Sequence, residues 1–298
     1  MYKERSRNIR KTWLLFTAFF VLVIGIGWIF GFLYDSPIIL YIAVIFSVVM
    51  SFISYWYSDK IVLRMTRAKP VEKRDNPELY NIVENLVITA GLPMPKLYFV
   101  DEAAPNAFAT GRDPKHAVVA VTRGLMERLN RSELEGVIAH ELSHIGNRDM
   151  LVSTVAVVLV GFIAILSDMF MRSLFWGAMF GGRNRNGGGH AVFMLIGIAF
   201  AVLAPISAAL VQLAISRKRE LLADASGVLL TRYPEGLANA LVKISSDPTP
   251  MRAAQNATAH LWLDDPFKGK KKTSWLHKLF MTHPPVEDRV KALIKMSI

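Results

Sequence analysis

Long uncharged runs interrupt an otherwise mixed chain. Residues 13–34, WLLFTAFFVLVIGIGWIFGFLY, and 37–56, PIILYIAVIFSVVMSFISYW, hold no charged side chain, and each reaches the ~20 residues that cross ~30 Å of hydrocarbon as helix. Asp35 and Ser36 alone separate them, which predicts a helical hairpin. A third run starts at Met150 and stays uncharged through Ser167; a fourth covers 191–216 and contains Pro205. That proline bends a span without disqualifying it, because neighbouring helices can satisfy freed backbone groups in a bilayer. The pattern predicts four transmembrane helices, preferred over a reading in which the last two runs form a buried hairpin of a soluble core. A signal peptide would have a shorter apolar core and a small-residue cleavage site, and neither is visible near residue 34.

Cations set the expected orientation. Lys3, Arg5, Arg7, Arg10 and Lys11 precede the first run and none follows it before the second, so the amino terminus and the return of the first hairpin are expected on the cytoplasmic side. The second hairpin then delivers Arg217, Lys218 and Arg219 to that side. Against this, the outer connection carries Arg172, Arg183 and Arg185, the last two in a glycine-rich stretch, GGRNRNGGG.

Three parts follow: a transmembrane hairpin over 1–56, a second over 150–216, and a single cytoplasmic domain assembled from 57–149 and 217–298. Within the last, 77–90 reads as a helix ended by Gly91, and KLYFV (96–100), NAFATG (106–111) and AVVAVT (117–122) read as short strands split by turns. Ser132 with Glu135 reads as a capping box opening the next helix. The predicted class is α+β, mostly helical, with a small β-sheet and four membrane helices. The excess of Lys and Arg over Asp and Glu, 35 to 24, comes with no nucleic-acid-binding motif, so it is assigned to the flanks of inserted helices.

Cysteine is absent, which leaves any metal to nitrogen and oxygen donors. The stretch GVIAHELSHIGNRDML, 136–151, supplies them. His140 and His144 are four apart, so on a helix they share a face with Cβ atoms ~5–6 Å apart and two imidazoles can converge on one Zn²⁺. Glu141 follows the first ligand directly and can lean toward the open coordination position, there to take a proton from a water that the ion has made acidic. A catalytic zinc usually takes three protein ligands. Asn147 and Met150 stand where the metzincin extension needs glycine and histidine, which excludes that class. The better third donor is Glu220 in SRKRELLADASG, returned to the same surface by the intervening hairpin, with Asp149 as the spare. Asp224, one turn beyond Glu220, could accept a hydrogen bond from a ligand imidazole; both acids could instead pair with Arg217, Lys218 or Arg219.

HELSH, a hydrophobic hairpin, RELLADA, with NAFAT upstream and HPPVEDR near the carboxyl end, resemble the HtpX-type heat-shock membrane metalloproteases, gluzincins related to the CAAX prenyl proteases. The resemblance covers essentially the whole chain. It implies a zincin-type domain with one zinc on His140, His144 and Glu220, Glu141 as base, and endoproteolysis of misfolded or damaged membrane proteins, a quality-control and stress-response role, from the cytoplasmic face of a bacterial inner membrane, with unfolded or membrane polypeptides as partners. It also gives meaning to Asn106, Ala107, Phe108 and Ala109 as an edge strand that binds an extended polypeptide by main-chain hydrogen bonds. His283 resembles the family's second-site histidine, which implies a donor to the oxyanion, though a turn histidine reads nearly as well. Arg289 either supports it or is a surface charge. Two other functions use the same residues: processing of prenylated tails, for which four spans leave little room, and a non-catalytic adaptor, which would need a fourth protein ligand to close a structural zinc site.

Overall fold

A computed structural model describes residues 2–33, 35–163, 217–252, 258–266 and 284–296. Helices α1 (Tyr2–Leu33) and α2 (Ile38–Met65) form the expected hairpin, and each is long and apolar enough to cross a membrane. The second helix runs beyond its apolar stretch to Met65, carrying Asp59, Lys60 and Arg64 on helical backbone. Its apolar side chains point mostly outward: Ile38, Tyr41, Ile42, Ile45 and Phe52 are all more than half exposed. The first helix instead turns Leu15, Phe16 and Phe19 inward. A third long apolar element, α6 (Met150–Ile163), follows α5 (Arg131–Asn147) across a sharp bend of 87°. The rest of the third run and all of the fourth lie outside the described residues.

Between these helices and the others sits a four-stranded sheet of β1 (Lys69–Pro70), β2 (Lys96–Val100), β3 (Ala107–Thr110) and β4 (Val118–Thr122), ordered β1-β2-β4-β3. The pair β2 and β4 is parallel, and the two outer pairs are antiparallel. The NAFAT strand is thus at an edge, as expected from the sequence. Strand periodicity divides the core: Leu97, Val119, Val121, Ala107 and Ala109 face a cluster with α3 (Pro77–Ala90), α5 and α8 (Pro234–Ser246). Tyr98, Val100, Ala120 and Phe108 face Leu15, Phe19, Val152, Val155 and Trp262. Successive strand side chains point to opposite faces, so one face of the sheet is covered directly by α1 and α6.

The 77–90 helix ends at Gly91, which adopts φ 64°, a left-handed cap as predicted. The capping box of α5 is two residues earlier than Ser132 and Glu135. Asn130 Oδ1 accepts from Glu133 N at 3.0 Å and Glu133 Oε2 accepts from Asn130 N at 2.9 Å, while Glu135 pairs with Arg131. The physical reason is hydrophobic: capping at Asn130 places Leu129 and Leu134, both buried, at the two ends of a staple, whereas capping at Ser132 would put Arg131 there. The sheet also contains β1, and the chain contains α4 (Arg123–Arg128), α7 (Arg217–Thr231), α8 and α9 (Val286–Ile294).

Candidate active site

Helix α5 is buried along most of its length, and two glycines let its neighbours close on it. A Cβ at Gly136 would sit 2.6 Å from Leu237 N of α8, and one at Gly227 of α7 would sit 3.0 Å from His140 N. The second contact matters chemically. With α7 pressed on α5 at Gly227, Glu220, two turns earlier, lies beside the two imidazoles.

There the donors converge. His140 Nε2 and His144 Nε2 are 3.1 Å apart, and the Glu220 carboxylate is 3.7 Å from each. These are the ligand atoms a single cation would take, all within 4.8 Å of one another. The opposite ring nitrogens are engaged by acids. His140 Nδ1 lies 2.8 Å from Asp224 Oδ1, and His144 Nδ1 lies 3.2 Å from both oxygens of Asp149. A carboxylate on Nδ1 holds the proton there and leaves the Nε2 lone pair facing the cluster, which is the tautomer a metal needs. On this donor chemistry the residues fit a borderline cation such as zinc.

Asp224 is in turn held by Arg289 of α9, whose Nε and Nη2 donate at 2.9 and 2.6 Å. Arg289 is 1% exposed, so it is no surface charge, and it stands in the first turn of its helix. Burial alone would raise the Asp224 carboxyl, but Arg289 and His140 pull it down to about 2. The pairing of Asp224 with the lysine and arginines at 217–219 does not occur among the contacts of the described residues; its partners are His140 and Arg289. Asp149, the spare ligand of the sequence reading, sits on the far side of His144 from the cluster. It reaches there because α5 stops at Arg148, whose φ of 56° turns the chain so that Asp149 N bonds His144 O. Burial works against a charged His144, yet Asp149, Glu220 and Glu141 together raise its imidazole to about 10 in the ion-free chain.

Glu141 is 3% exposed and faces the cavity that the ligands line. Burial pushes its carboxyl up, partly offset by the two imidazoles. Of the four strand residues, Ala109 lines the cavity. Asn106 and Phe108 are buried in other contacts, and Ala107 O accepts from Leu263 N at 3.0 Å. His283 lies outside the described residues. Sequence reasoning missed Leu261, Leu263, Met150 and Arg219 as cavity residues, and the Asp149 and Arg289 contacts to the imidazole system.

The sequence profile of peptidase family M48 matches residues 73–297, a span that contains every one of these groups. The chain belongs to peptidase family M48. It is 43% identical over 300 residues to a protein named Protease HtpX homolog from Thermoanaerobacter pseudethanolicus, covering 100% of this chain and 98% of that one. A protein of the same name from Thermococcus kodakarensis is 46% identical over 291 residues, 96% of this chain and 95% of that one. The crystal structure of S. mikatae Ste24p matches with a TM-score of 0.48 at 19% identity, over 98% of this chain and 67% of that one. Membership in M48 makes the chain a metalloprotease and its substrates polypeptides, and its two long apolar helices make it a membrane protein.

Proposed function

We propose that this M48 protease is a zinc-dependent endopeptidase with four membrane spans, acting from the cytoplasmic face of a bacterial inner membrane on unfolded or membrane polypeptides. The observation that carries the reading is the convergence of His140, His144 and Glu220 with Glu141 beside them in one cavity. The basic residues in the first turns of α1, ahead of its apolar run, support a cytoplasmic amino terminus, and the direct packing of α6 on the sheet supports a site close to the bilayer. Membrane-embedded substrates would meet such a site with little displacement.

A zinc ion held by His140, His144 and Glu220 would polarise the scissile carbonyl and lower the pKa of the attacking water. The carboxylate of Glu141 takes the proton of that water and returns it to the leaving amine; its raised affinity for protons suits it to both halves of the exchange. Asp224 and Asp149 keep the imidazole protons on Nδ1 throughout, so neither ring turns from its ligand role. Ala109 offers a strand edge against which an extended substrate aligns, and His283 serves as an N–H donor to the developing oxyanion.

The test is casein cleavage and metal content of the purified full-length protein. Glu141→Gln is expected to keep stoichiometric metal and lose at least ~10²-fold in turnover, whereas Glu220→Ala is expected to lose both. Undiminished cleavage by Glu141→Gln would overturn the mechanism, and retained metal in Glu220→Ala would move the third ligand elsewhere.

A further inference from the structure

One wall of the catalytic cavity has no task in the mechanism above. It comes from the segment 258–266, whose Leu261 and Leu263 line the cavity together with Met150 of α6 and Ala109 of β3. The side chain between the two leucines points the other way: Trp262 is fully buried and packs edge-on against Phe108, ring centroids 4.8 Å apart. Polar contacts fix the same segment to the strand. Leu263 N donates to Ala107 O at 3.0 Å, Asn106 Nδ2 donates to Asp264 O at 3.0 Å, and Asp264 N donates to Asn106 Oδ1 at 3.2 Å. The Asn106 amide is thereby committed to holding this wall.

The strand register says where that wall ends. Thr122 N donates to Asn106 O, so in the antiparallel pair Phe108 and Thr110 turn their main-chain groups toward β4, and Ala107 and Ala109 turn theirs away. Leu263 occupies Ala107. The outward groups of Ala109, two residues on, face the cavity that holds Glu141.

We infer that Leu261 and Leu263 are specificity-determining residues: with Met150 they form an apolar subsite for one of the two side chains flanking the scissile bond, and the segment closes the strand edge at Ala107. The inference rests on the endopeptidase reading given above. An extended substrate pairs with Ala109 and continues toward Thr110, because the other direction is filled by Leu263. This part of the lining is aliphatic and the cavity volume is only about 40 Å³, so the subsite is narrow and takes an aliphatic side chain in preference to an aromatic one. Apolar pockets discriminate by volume at roughly 10-fold or more per misfit methylene group.

The experiment uses the full-length protein with its metal and two quenched peptides that differ only by Leu or Phe at a position flanking the cleaved bond, the bond being located by mass spectrometry. Leu261→Ala is expected to raise the ratio of kcat/KM for Phe over Leu by about 10-fold, and Leu261→Phe to lower it. Opposite shifts from opposite volume changes are not produced by a general loss of stability. Leu263→Ala should act like Leu261→Ala; if its melting shows that it does not fold, the pair at Leu261 decides. An unchanged ratio in both Leu261 variants, with turnover preserved, overturns the assignment. Failure of the wild type to cleave either peptide beyond the Glu141→Gln background overturns the endopeptidase reading and the subsite with it.

Discussion

The two imidazoles proposed to hold the metal are four residues apart on one helix, yet they are held in opposite ways. His140 depends on distant chain: its Nδ1 is bound by Asp224 of α7, which Arg289 of α9 grips from 65 residues further on, and all three groups are 1% exposed. His144 depends on its neighbourhood: Asp149, five residues later, is its Nδ1 partner, and its own side chain is 18% exposed. The first arrangement ties metal-site geometry to the packing of three helices, and the second ties it to one turn of backbone. The candidate centre is thus assembled half by tertiary structure and half by local geometry, and the two halves should fail differently.

The largest expected difference comes from Arg289→Met. It leaves the Asp224 carboxylate buried without its cation, a loss of about 3–5 kcal/mol, read as a fall in melting temperature accompanied by loss of bound metal. A variant that melts with the wild type would show that the His140 side is no more structural than the other. Asp149→Asn should separate the two: metal affinity falls ~10–100-fold, and the metal-free protein loses melting temperature at neutral pH, where the Asp149–His144 pair is charged, but melts as the wild type does above about pH 10. A large drop in melting above that pH as well would mean that the bend after α5 needs the charge of Asp149.

The smallest effect is a pair of pH dependences of opposite sign in the chelated protein. Asp224, lowered from 3.8 to about 2, contributes stability that is complete above its ordinary pKa and lost as pH falls through about 2. His144, raised from 6.5 to about 10, contributes stability that is complete below 6.5 and lost as pH rises through about 10. Melting temperature measured across that range should decline at both ends. Arg289→Met should move the acid limb to higher pH, and Asp149→Asn should flatten the alkaline limb. Alkaline behaviour unchanged by Asp149→Asn would break the assignment of that limb to His144.

The same contrast explains what the sequence made legible. The first hairpin, the edge strand and the His140, Glu141, His144 spacing are carried by short-range periodicity, which survives without knowledge of the fold. Glu220 was accessible through motif order. Arg289 was not, because nothing near HPPVEDR says that its guanidinium turns inward to an aspartate on another helix; burial of a cation is a tertiary fact. Asp149 was offered as a spare ligand, and its place beside His144 Nδ1 could not be read because it depends on the left-handed turn at Arg148. The true N-cap was hidden for a similar reason: Asn130 and Ser132 cap equally well alone, and the burial of both Leu129 and Leu134 in the core decides between them. The segment LWLDDP carries no recognisable signal, and its place against β3 is set by the amide of Asn106, far back in the chain.

The elbow between α5 and α6 consists of Arg148 and Asp149 alone, and the second of these is also the acceptor for His144. A tilt of α6 about that elbow would carry the Asp149 carboxylate with it, which links the angle between the two helices to the aim of the His144 ring. In the proposed site, a change in that angle would alter the aim of His144 without a contact to ion or substrate.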